Sequence, residues 1–140
     1  MSNKTKLKMA LVIVLLAGLP LACTTTTPGK AADSSGFIGT YSLVSIDGHP
    51  VPYAPIHDGQ QGGPEVVSST FTLNRGGTVV STYNYALPSG DTMSRDFKGT
   101  YAEAGSDFNV KWEGAGQTKV TIDGGTLTMD NHGMLFVYQK

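Results

Sequence analysis

Residues 107–139 read DFNVKWEGAGQTKVTIDGGTLTMDNHGMLFVYQ, and this stretch decides the fold. Phe108, Val110 and Trp112 alternate with polar residues, as do Val120 with Ile122 and Leu127 with Met129. Successive side chains of a strand point to opposite faces, so an apolar residue at every second position marks a half-buried strand. Turn residues separate the runs. Gly124-Gly125 and Asp130-Asn131-His132-Gly133 are hairpin connections, because glycine takes positive φ at no steric cost. The stretch therefore predicts consecutive antiparallel strands over 107–113, 116–123, 126–129 and 134–139.

The same pattern extends toward the N-terminus. Residues 37–46 form the first strand. The next, over 66–74, alternates through Val67, Phe71 and Leu73, and Arg75-Gly76-Gly77 turns it into a third over 78–87, with Val79, Tyr83 and Tyr85 on one face. After Pro88-Ser89-Gly90-Asp91, a fourth strand over 92–103 places Phe97 and Tyr101 on one side with Gly99 between them. No segment of this region keeps a helical spacing. Eight short strands with one apolar face each predict an all-β domain over 36–140, a small antiparallel up-and-down barrel whose closure removes exposed edges. An open sandwich satisfies the same pattern.

Residues 1–35 have a different composition. Lys4, Lys6 and Lys8 precede an eleven-residue apolar run over 9–19, followed by Pro20-Leu21-Ala22-Cys23. A basic segment, a short apolar segment and a small residue before a cleavage point form a secretory signal peptide, here residues 1–22. The run is too short for a transmembrane helix, which needs about 20 apolar residues. Cys23 is the only cysteine, so it has no partner for an internal disulfide. Leu19-Pro20-Leu21-Ala22-Cys23 resembles the bacterial lipobox, although Pro20 stands where that pattern prefers leucine. The resemblance implies diacylglyceryl modification of Cys23 and acylation with palmitate-like chains. It also implies a lipoprotein of the cell envelope, held at the outer membrane and facing the periplasm, since Thr24 rather than Asp follows the cysteine. Residues 24–35, TTTTPGKAADSS, lack any hydrophobic period and are expected to be a flexible tether.

Removal of residues 1–22 takes three lysines and no acid, which turns a net charge of −1 into −4. A mildly acidic domain without a basic stripe is a poor partner for nucleic acid or anionic lipid, so membrane attachment falls to the acyl chains. No phosphate loop, dinucleotide fingerprint or Gly-x-Ser-x-Gly turn occurs, and the expectation is a protein that is not an enzyme and has no cofactor. His49, His57 and His132 are the only histidines. Without a second cysteine or clustered carboxylates they do not predict a metal site.

Several segments together resemble the small bacterial lipocalin-like domain proteins: residues 39–52 (GTYSLVSIDGHPVP), 70–80 (TFTLNRGGTVV), 99–101 (GTY), 124–129 (GGTLTM) and 136–140 (FVYQK). The resemblance covers residues 37–140. It implies a barrel that can hold a ligand cup, with Tyr41 in place of the tryptophan in the Gly-x-Trp of true lipocalins.

Candidate contact residues follow. The longest irregular segment, 48–65, is rich in proline and glycine, and Tyr53, Ile56 and His57 are candidate lid residues over an open barrel end. Tyr83, Tyr85, Phe97, Tyr101, Phe108 and Trp112 form an aromatic set at strand spacing, which either lines a ligand cup or is plain core. Trp112 is expected to be largely buried. Two functions compete. One is a binding module for a small apolar ligand. The other is an interaction module that contacts an envelope protein or blocks a hydrolase. An open apolar cup favours the first and a filled barrel the second.

Overall fold

The computed structural model describes residues 36–56, 59 and 63–140. Cys23, the signal segment, the tether and His57 lie outside the described residues. Among the described residues nine strands follow one another: β1 (Gly39–Ile46), β2 (His49–Pro50), β3 (Glu65–Leu73), β4 (Thr78–Ala86), β5 (Thr92–Ala104), β6 (Asp107–Trp112), β7 (Gly116–Asp123), β8 (Thr126–Asn131) and β9 (Met134–Gln139). Each strand from β3 onward pairs antiparallel with the next, and β1 pairs with both β3 and β9. That last pairing closes eight strands into a barrel and excludes the open sandwich. An eight-stranded up-and-down barrel is the architecture of the lipocalins.

Short loops set the register. Two-residue connections with positive φ at both positions join β1 to β2 through Asp47-Gly48, β7 to β8 through Gly124-Gly125, and β8 to β9 through His132-Gly133. Such turns match the right-handed twist of the strands they join. The final hairpin is therefore tighter than the four-residue turn read from sequence, and β8 extends to Asn131. The segment read as a loop from Gly48 also begins with structure. β2 folds back on the end of β1, and Tyr53 then bridges to Val66, with Tyr53 N–H donating to Val66 O at 3.0 Å and Val66 N–H to Tyr53 O at 2.8 Å. These pairings fill the seam where β1 and β3 diverge.

The barrel interior holds the buried side chains Tyr41, Leu43, Ile46, Val66, Phe71, Leu73, Val79, Tyr83, Phe108, Val110, Val120, Leu127, Met129, Phe136 and Tyr138. Each large apolar side chain removed from water contributes about 1.5–3 kcal/mol before the entropy of ordering it is counted. One expectation of facing is wrong. The register of β3 against β4 shifts between Val66 and Ser68, so Val66 points inward and Val67 is 39 % exposed. A bulge inserts one residue and switches the faces on either side of it, which simple alternation cannot register.

One end of the barrel is sealed. Phe37, expected to open the first strand, lies before it and packs on Tyr101 and Phe108, with ring centroids 6.0 and 4.7 Å apart. The Tyr41 hydroxyl donates to Phe37 O at 2.6 Å, and Lys140 Nζ donates to Gly36 O and Ile38 O. The C-terminal residue thus pins the chain where it enters the barrel.

Candidate functional site

The opposite end is where β1, β4, β6 and β8 finish and β3, β5, β7 and β9 begin. It contains a cavity of about 420 Å³. That volume falls within the roughly 300–1,000 Å³ typical of small-molecule sites. The wall is largely apolar: Val66 from β3, Met93 and Phe97 from β5, Trp112 from β6, Met129 from β8, and Met134 and Phe136 from β9. Pro55 and Pro64, from the segment between β2 and β3, line it as well. Met1 and Met9 fall within residues 1–22, and the chain's other three methionines all line this cavity. Unbranched thioether side chains adapt to irregular occupants better than branched ones.

The wall has an unfinished edge. The ladder between β5 and β6 begins at Gly99 opposite Trp112, and Glu113 N–H donates to Lys98 O just beyond it. Residues 92–97 of β5 pair with β4 but with no strand on their other side among the described residues. The first half of β5 therefore projects past β6, with Met93, Arg95 and Phe97 facing the cavity.

Polar groups enter the wall at Ser81, Tyr83, Tyr85, Arg95, Thr118 and Asn131. The deepest belong to a buried hydroxyl cluster. The Tyr83 and Tyr138 hydroxyls are 2.9 Å apart, Ser69 Oγ lies 3.3 Å from Tyr138, and Ser81 Oγ donates to Thr70 O. Burial pushes the Tyr83 phenol well above its ordinary range, with the neighbouring Tyr138 hydroxyl adding to the effect, and burial raises the Tyr138 phenol as well. Both phenols are neutral donors and acceptors. Each buried side-chain polar atom among the described residues has a hydrogen-bond partner, so the cluster carries no open desolvation cost. Tyr85 is also raised, first by burial and then by Tyr83, while the positive charge of Arg95 works in the opposite direction.

Of the aromatic set read from sequence, Tyr83, Tyr85, Phe97 and Trp112 lie in the cavity wall. Tyr101 and Phe108 pack instead with Phe37 at the sealed end. Trp112 is half-buried rather than enclosed, because one side of its ring borders the open cup. It is anchored edge-on against Phe71 at 5.8 Å, and its Nε1–H donates to Thr118 Oγ1 at 2.9 Å. Tyr53 does not reach the cavity wall. Its ring stacks on His49 at 4.6 Å, and Ile56 is 53 % exposed.

The sequence places Met129 on the inward face of its strand but does not single out Arg95, Met93 or Met134. Arg95 stands two residues before Phe97 and thus on the same face of the strand. Its charge, where alternation calls for an apolar side chain, is the signal that could have found it.

No protein-family model matches the chain, and no curated protein matches it in sequence. Among solved structures, a lipocalin-like protein from Bacteroides uniformis is similar, with a TM-score of 0.44 and 16 % identity over 74 % of this chain and 96 % of that one. An uncharacterized protein from Bacteroides eggerthii is similar with a TM-score of 0.43 and 12 % identity, over 74 % and 98 % of the two chains.

Proposed function

We propose that the barrel is a binding module for a small, mainly apolar ligand, carried by an envelope lipoprotein anchored through Cys23. The observation that supports the binding reading is the cavity of about 420 Å³, open at one barrel end and walled by methionine and aromatic side chains. An interaction module that works through its outer surface needs no such cup. The anchoring half of the proposal is supported by sequence alone, through the signal-like residues 1–22 and the cysteine that follows them. On this reading the protein sequesters or carries its ligand at the outer membrane, on the periplasmic side, and does not transform it.

The test is native mass spectrometry of the processed protein extracted from a bacterial envelope, followed by titration of the stripped protein with a fluorescent fatty acid. The proposal expects a co-purified small molecule or saturable uptake of the probe. A clean apo mass together with no uptake overturns it.

A further inference from the structure

Apolar side chains alternate with hydroxyl groups and one amide along the cavity wall, and among the described residues its one charged side chain is Arg95. Along β5 the inward side chains are Met93, Arg95 and Phe97, while Ser94, Asp96 and Lys98 alternate with them on the outer face. Arg95 stands opposite Tyr83 in the β4–β5 ladder, between the Tyr85–Met93 and Ser81–Phe97 pairs, all of which line the cup. The nearest carboxylate in sequence, Asp96, is committed elsewhere, since its Oδ1 accepts from Thr82 Oγ1 at 2.8 Å. The Arg95 side chain remains exposed, so its charge stays hydrated at the mouth. This position on the unpaired half of β5 avoids the heavy cost of an ion deeper in the cup.

We infer that the cup takes an amphipathic monocarboxylate, with its apolar body among the methionines and aromatics and its carboxylate on the Arg95 guanidinium. This deepens the binding-module proposal and rests on it. A guanidinium presents a planar fork of N–H donors that matches a carboxylate bidentately, which makes arginine more selective than a lysine at the same place. The charge balance favours a single negative charge on the ligand. Among the described residues Arg95 is the one cationic side chain in the wall, and residues 23–140 carry a net charge of −4, which opposes a dianion. The influence of Arg95 on the Tyr85 phenol agrees with a guanidinium held beside the aromatic wall.

The experiment uses the chain's single tryptophan, Trp112, which borders the cavity and reports occupancy through its emission. The full chain is titrated with two acid–alcohol pairs: decanoate against decanol, and naphthaleneacetate against naphthaleneethanol. The first pair tests a flexible chain and the second a rigid ring, so the two distinguish the source of the apolar body. The inference expects the acid to bind roughly tenfold or more tightly than its alcohol in at least one pair, as a charge-assisted hydrogen bond implies. The preference should shrink in high salt, because the pair sits at a hydrated mouth. Arg95→Gln should remove the preference by weakening the acid to about the affinity of its alcohol, and Arg95→Lys should restore only part of it. A urea midpoint equal to that of the parent chain shows that the variant is folded. Equal affinity for acid and alcohol in both pairs, or a preference that survives Arg95→Gln, overturns the inference and leaves the apolar-cup reading standing. If none of the four probes binds, the binding-module reading itself fails and this inference falls with it.

Discussion

Single residues decide where the barrel can bend and where it stays open. Gly99 lies at the point where β5 stops pairing only with β4 and takes up β6, so it is paired on both sides, with Val79 and Trp112. A Cβ there would run into the Lys111 carbonyl oxygen, with the carbonyl carbon at 3.1 Å and Trp112 Cα at 3.2 Å. The obstruction is backbone, which cannot rotate away as a side chain can. Gly99→Ala should therefore destabilise the barrel by about 1–3 kcal/mol or more, the range for overpacking, and urea unfolding measures it. A stability within about 0.5 kcal/mol of the parent chain, as for an ordinary surface change, would show that the strands separate freely at this point. Gly99 was legible in sequence as the gap between Phe97 and Tyr101 on one face of the strand, but the backbone approach of Lys111 and Trp112 that requires it was not. Arg95 was not, because hydrophobic periodicity scores a charge as outward and has no category for an inward one at a cavity mouth.

At the level of elements, turn chemistry and period-two alternation carried most of the fold. Gly76-Gly77 and Gly124-Gly125 lie where positive φ is needed, and the strands they join begin and end within a residue or two of the positions read from sequence. Alternation failed where the ladder changes phase. In β3, Val67 shares the parity of Phe71 and Leu73, yet the shift between Val66 and Ser68 turns it outward and brings Val66 into the cavity wall. The signal for a bulge is a break in pairing with a neighbouring strand, and one strand read alone does not contain it. The two valines give a direct check by urea unfolding. Val66→Ala should cost about 2 kcal/mol, from two lost methyl groups and the space they leave. Val67→Ala should stay within about 0.5 kcal/mol of the parent, as an exposed position does. The reverse order would place the register shift elsewhere in β3. The segment between β2 and β3 was legible only as a proline-rich connection, because its path is set by the contacts of Tyr53 with His49 and Val66 rather than by local preference.

On the scale of the whole molecule, the two barrel ends are built differently. The chain enters at the end sealed by Phe37 and pinned by Lys140, and the cavity opens at the other. Among the described residues the buried hydrophobic side chains all fall between Tyr41 and Tyr138. Cys23 precedes β1 by sixteen residues of sequence, so folding and the proposed membrane attachment are expected to be separable. Residues 24–35 are polar, and the charge of −4 after cleavage gives no attraction to anionic lipid. The proposed attachment then rests on acyl chains at Cys23, each buried methylene contributing about 0.8 kcal/mol. Cys23→Ala should abolish uptake of labelled palmitate and move the processed protein from the membrane to the soluble fraction, with the urea midpoint of the barrel unchanged. The variant must be checked for cleavage, because an uncleaved chain keeps its apolar run over residues 9–19. Absence of label in the parent chain refutes lipidation. A processed alanine form that still sediments with membranes refutes the acyl chains as sole anchor, and it would direct attention to the barrel surface, where Val67 and Leu135 are exposed on strands that flank β1.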